Sequence, residues 1–103
     1  MSLHDLTALE QATAIRRGEV SAVELTEHYL RRSEQVEGAF VVLTPDLALE
    51  QARAADAAVA DGTASGDLFG VVCPVKDLHF MVGANARMGS AVFDLPSYED
   101  DYV

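Results

Sequence analysis

Two short, uninterrupted apolar runs constrain this chain more than any other feature: Ala39-Phe40-Val41-Val42-Leu43 and Leu68-Phe69-Gly70-Val71-Val72-Cys73-Pro74-Val75. Runs of this length, rich in β-branched and aromatic residues, read as buried strands. Neither can stand alone, because strand amides and carbonyls find partners only in adjacent strands. Helical signals precede and separate them, so the order is helix, strand, helix, strand. That alternation opens an α/β sheet without completing a layer. The expectation is an α/β fold made of N-terminal helices plus the first strands of a mixed sheet, incomplete as a stand-alone domain.

The helices announce themselves by their ends. Thr7-Ala8-Leu9-Glu10 fits a capping box, and Gly18 is placed to close the helix begun there. Ser21-Ala22-Val23-Glu24 repeats the device, with Val20 and Leu25 as a hydrophobic staple around it. Leu25, Tyr29 and Arg32 share one face of the second helix, which Val36 extends and Gly38 ends. After the first apolar run, Thr44-Pro45-Asp46 supplies an N-cap, a first-turn proline and an acid at the positive helix end. The alanine-rich stretch from Leu47 to Ala60 then runs to a stop at Asp61-Gly62. Paired helices are therefore expected over 7–36, a strand and an Ala-rich helix over 39–62, and a lysine-bearing strand with its loop over 68–90. The whole of 1–103 reads as one N-terminal fragment of a larger domain. Ser97 to Val103 resembles a further helix start.

Charge and cysteine usage exclude several function classes. Seventeen acidic side chains against seven basic ones, a formal charge of -10, oppose binding to a phosphate backbone or an anionic membrane. No apolar run approaches a bilayer span, and the first residues lack a basic-then-apolar leader pattern. With Cys73 as the one cysteine, an internal disulfide is impossible. A cytoplasmic setting is expected, with neither nucleic acid nor membrane as a partner. Apolar strands without sheet neighbours also imply self-association or a covering partner for the isolated chain.

Lys76, the one lysine, ends the second apolar run and is followed by Asp77. Ligand crevices in α/β sheets form at strand ends. A lysine enclosed by apolar side chains is destabilised as a cation and becomes able to accept a proton near neutral pH. Position alone favours a solvated lysine closing a strand. Cys73 has apolar neighbours, which make a thiol inert and suit a small core residue. His4, His28 and His79 lack metal-ligand spacing; His28 reads as solvated and His79 as a neighbour of Lys76. The segment from Gly83 to Ser90 is no phosphate loop, and nothing places a base beside Ser90. Glu99, Asp100 and Asp101 lack the spacing of a calcium loop. No cofactor or metal is expected.

Around Lys76 these pieces assemble into a resemblance. Gly70-Val71-Val72-Cys73-Pro74-Val75-Lys76-Asp77-Leu78 resembles the lysine-bearing strand of the amidase signature family. Gly83, Gly89-Ser90 and the acids from Glu99 to Asp101 ahead of Val103 are similar to the family's residues downstream of that strand. Leu6-Thr7-Ala8 with the stretch from Arg17 to Leu25 resembles the family's N-terminal helices, and Ala52-Arg53-Ala54-Ala55-Asp56 its alanine-rich helix. Val72 stands where the family usually has proline, and Asn85, Ala86 and Arg87 occupy the region of a common threonine.

The resemblance implies an amide hydrolase with a Ser, cis-Ser, Lys triad on an amidase-type mixed sheet, acting on a small-molecule amide. Lys76 takes the role of triad base, with both serines outside this chain, so the isolated chain is expected to be inactive. Two alternatives stand beside it. One is a non-catalytic interaction module derived from the family. The other is the amidase subunit of a tRNA-dependent amidotransferase, which Lys76-Asp77-Leu78 and the altered threonine region fit less well.

Overall fold

A computed structural model describes residues 2–100. The chain opens with a 3-10 helix, η1 (Leu3–Asp5), followed by α1 (Ala8–Arg16), α2 (Ala22–Glu34) and α3 (Pro45–Asp61). The ends of α1 follow the local sequence. The Thr7 amide donates to Glu10 Oε1 at 2.9 Å and the Glu10 amide to Thr7 Oγ1 at 3.2 Å, a reciprocal capping box. At the other end Gly18, at φ +73°, turns the chain so that its amide reaches Ile15 O and that of Glu19 reaches Ala14 O.

The start of α2 is capped twice. Ser21 Oγ accepts from the Glu24 amide at 2.9 Å. The two amides inside it go to a carboxylate from another helix: Asp56 of α3 accepts from Ala22 N at 2.7 Å and Val23 N at 3.1 Å. Asp56 thereby sets negative charge at the positive end of α2 and joins α3 to it in one contact. Ala52, one turn earlier on α3, is buried and lets the helices approach closely. The core between them is small. Ile15 (1% exposed) and Leu25 (0%) are its largest fully buried side chains, with Ala14, Val20, Ala22 and Ala52 around them. Tyr29, Val59 and Val72 pack on its margin.

The expected α/β architecture is not what forms. Among the described residues there is no strand, only two isolated bridges, Met81 with Ala84 and Ala86 with Leu95. Residues 39–43 are exposed and irregular, and 71–76 form no regular element and no ladder. Apolar composition is present in both runs, but a strand is a relation between two segments. Neither run lies beside another that could exchange backbone hydrogen bonds with it. Thr44 makes no side-chain cap at α3, Val36 falls beyond α2, and residues 97–100 are not helical. Asp101 to Val103 lie outside the described residues.

The second run nevertheless has a fixed place. Gly70, at φ +83°, lies so close to α1 that a Cβ there would sit 3.0 Å from Ile15 Cδ1 and 3.6 Å from Ala22 Cβ. Only glycine combines that dihedral with that approach. Arg16 Nη1 donates to Gly66 O at 3.1 Å just upstream. The helical unit thus holds the start of the segment that ends in Lys76.

Two substitutions separate these contacts. Asp56→Ala leaves the first amides of α2 without their acceptor and should cost about 1–2 kcal/mol in chemical denaturation. Gly70→Ala should cost about 1–3 kcal/mol through overpacking against Ile15. An unchanged midpoint in either variant contradicts the corresponding contact.

Candidate functional site

Lys76 sits where the irregular segment 71–76 enters a turn. Its carbonyl accepts from the His79 amide at 3.1 Å, while its side chain is exposed. The apolar enclosure expected around its ammonium is not built by residues 2–100.

The next residue organises the downstream loop. Asp77 Oδ1 accepts from the Arg87 amide at 2.8 Å, Oδ2 from the Gly89 amide at 3.3 Å, and its carbonyl from the Met88 amide at 2.9 Å. Three successive amides are therefore gathered on one aspartate. They belong to a tight turn in which Met88 (φ +53°) and Gly89 (φ +70°) are both left-handed and the Ser90 amide closes on Arg87 O at 2.9 Å. A left-handed methionine is strained, and persists where its surroundings over-determine it. Here Asp77 does so on one side. On the other, Ala86 (2% exposed) exchanges two hydrogen bonds with Leu95, at 2.8 and 2.9 Å.

The Arg87 amide, foremost, with those of Gly89 and Met88, holds the Asp77 carboxyl below its ordinary value, against partial desolvation acting the other way. Lys76 is thus flanked by two fixed points: Gly70 against the core on one side and the Asp77 clamp on the other.

The remaining candidates fall into place differently. Ser90 Oγ accepts from the Val92 amide at 3.0 Å, so its oxygen is engaged in the local turn. Cys73 is exposed and not a core residue; its Sγ contacts Pro74 O at 3.7 Å. His79 is half-buried, and its amide closes the turn on the Lys76 carbonyl. His28 is half-buried and lies against His4. Asp100 accepts from the Val82 amide at 2.8 Å, and Asp101 lies outside the described residues. Among the described residues, no group of three or more His, Cys, Asp or Glu side chains is placed to hold a metal ion, and no helix is long and apolar enough to cross a membrane. Sequence reasoning marks Asp77 only as an acid beside Lys76. Its partners lie ten to twelve residues away, and no spacing rule signals them.

Comparison with known proteins decides the family. The sequence model of the Amidase family matches residues 24–102, which include Lys76, Asp77 and the clamped turn. The chain belongs to the amidase family. Among relatives, the A subunit of the glutamyl-tRNA(Gln) amidotransferase of Jannaschia sp. (strain CCS1) is 42% identical over 101 residues, covering 94% of this chain and 20% of the relative. The protein of the same name from Thioalkalivibrio sulfidiphilus is 42% identical over 95 residues, 89% of this chain and 19% of that protein. That of Chloroflexus aurantiacus is 40% identical over 93 residues, covering 87% and 19%. The chain spans about a fifth of the length of these curated relatives.

The clamp makes a pH-dependent prediction. A carboxyl held below its ordinary value contributes stability that is complete above that value, about 3.9, and is lost as pH falls through the lower folded value. Amide hydrogen exchange at Arg87 and Gly89 should stay protected down to about pH 4 and open below it. Asp77→Ala should open both amides already at neutral pH. Protection surviving that substitution contradicts the clamp.

Proposed function

We propose that this chain is the N-terminal part of an amidase-type hydrolase and that Lys76 is the general base of its Ser, cis-Ser, Lys triad. All of 1–103 then forms one part of a larger amidase-type domain that works in the cytoplasm on a small-molecule amide. The observation that carries the reading is the family match running unbroken through the segment that presents Lys76 between two fixed points.

The chemistry asks for a neutral amine. Lys76 takes the proton of the bridging serine, which takes that of the nucleophilic serine as it attacks the amide carbon. Backbone amides carry the developing oxyanion, and the proton returns to the leaving amine. In this reading both serines, and the apolar enclosure that keeps Lys76 uncharged, come from outside the described residues. Exposed Phe40, Val41, Val42 and Leu43, with Leu68, Val92 and Phe93, support a need for covering surface, whether from more of the same protein, a second copy or a partner.

The names of the relatives favour a second reading within the family: part of an amidotransferase subunit whose work depends on glutamyl-tRNA(Gln). That reading draws on the relatives rather than on the Lys76-Asp77-Leu78 stretch.

The test is amide hydrolysis, followed as ammonia release, by the chain joined to whatever its reading frame encodes after Val103. Lys76→Ala should lower turnover by about 100- to 10,000-fold, with Lys76→Arg no better. The 103-residue chain alone should show none. Activity in the isolated chain that Lys76→Ala leaves unchanged contradicts the reading, and activity only with glutamyl-tRNA(Gln) present selects the second.

A further inference from the structure

Two histidines far apart in sequence meet where η1 packs on α2. His4 Nδ1 and His28 Nε2 are 2.9 Å apart, with ring planes inclined by 14° and centroids 5.1 Å apart. On the far side of His4, Nε2 lies 3.1 Å from Arg32 Nη1. The edge of the pair meets Tyr29, whose ring stands at 77° to His28.

The chemistry of the donors fixes where the protons are. A guanidinium only donates, so His4 Nε2 must carry a lone pair. The proton of a neutral His4 is then on Nδ1, which donates to His28 Nε2. His28 accepts there, so its own proton is on Nδ1. A single chain of donors, from Arg32 through His4 to His28, requires both rings neutral and both in the Nδ1–H tautomer.

We propose that this pair is a pH-sensitive latch: with both rings neutral it holds the Leu3–Asp5 turn on α2, and a proton on His28 releases it. That proton puts N–H opposite N–H and removes the His28 acceptor that His4 has on α2. A proton on His4 instead keeps the bond to His28 but sets a cationic ring against Arg32, so either protonation breaks one link. The charges acting on His28 are His4 and Asp5 from η1 and Arg31 and Arg32 from its own helix. Asp5 is the one carboxylate among them, 3.8 Å from His4 Nε2, exposed, and farther away than Arg32. From α3, Asp56 is engaged at the opposite end of α2.

The position of the latch gives it a consequence. Leu3 packs on the margin of the core, and its carbonyl accepts from Gln11 Nε2 at 3.0 Å. The same amide donates to Tyr29 Oη at 2.8 Å, and Gln11 is buried. Releasing the turn takes an acceptor from a buried amide that ties α1 to α2. The direction in pH comes from burial. Desolvation first, then any charge on His4 and those of Arg31 and Arg32, against Asp5 acting the other way, push His28 below its ordinary value of 6.5. The latch is therefore closed above that value and opens as pH falls from it through the lower folded value.

Nitrogen-15 NMR of the full chain tests this without any assay of activity. At pH 8 the ring shifts should show Nδ1–H on both His4 and His28. On titration to pH 5, the amides of Asp5 and Leu6, which close the turn on Ser2 O and Leu3 O, should move together with His28. Their shared midpoint should lie below 6.5, while the Ala52 amide of α3 stays put. His28→Gln, a neutral acceptor that cannot titrate, should abolish that movement. An Nε2–H tautomer on either ring at pH 8, a midpoint at or above the ordinary value, or an unchanged response in His28→Gln overturns the latch. The tautomer readout needs no variant, so it stands even if the substitution unfolds the chain.

Discussion

The contact between the Asp56 carboxylate and the first amides of α2 is the constraint on which the rest of the molecule depends. A helix start leaves several amides without intrahelical partners, and a chain with so small a core has little stability to offset leaving them bare. Drawing their acceptor from α3 settles two matters together: α2 is capped, and the long alanine-rich helix is oriented so that Ala52 faces Leu25 and its neighbours. The floor so formed, with Ile15 at its edge, is the surface that Gly70 lies against.

From there the molecule divides by role. The helices all lie within residues 3–61, which hold most of the buried side chains, whereas residues 68–100 are turns and irregular backbone tied in part by amides donated to Asp77 and Asp100. The second half borrows its order from the first through Gly70 and Val72, and then supplies its own through Asp77. Lys76 stands at the junction with its backbone restrained on both sides and its amine exposed. Under the proposed function that division would serve proton transfer: the scaffold would set position, and the surroundings that tune the amine would come from outside the described residues.

Legibility in the sequence tracks the range of the interaction concerned. Helix ends are local, so Thr7 with Glu10, Ser21 with Glu24, Gly18 and Pro45 all foretell boundaries found in the structure. Strands are not local. Residues 39–43 and 68–75 carry strand-like composition, yet pairing requires a neighbour that residues 2–100 do not place beside them. The exposed Cys73 misleads for the same reason, since apolar neighbours in sequence do not make an apolar environment in space. Asp56, Asp77 and the pair His4 and His28 act across ten to thirty-four residues, and no periodicity announces them. The family is legible because the segment through Lys76 carries its pattern as a contiguous motif, and the family match spans it.

The central claim is that the helical unit holds the segment leading to Lys76 even though no sheet does. Nuclear Overhauser contacts between the Ile15 δ-methyl and the Gly70 α protons read this directly, because the two groups touch only if that segment lies on α1. The account predicts strong contacts there in the 103-residue chain, alongside helical shifts for α1 to α3. Formed helices without those contacts would contradict it.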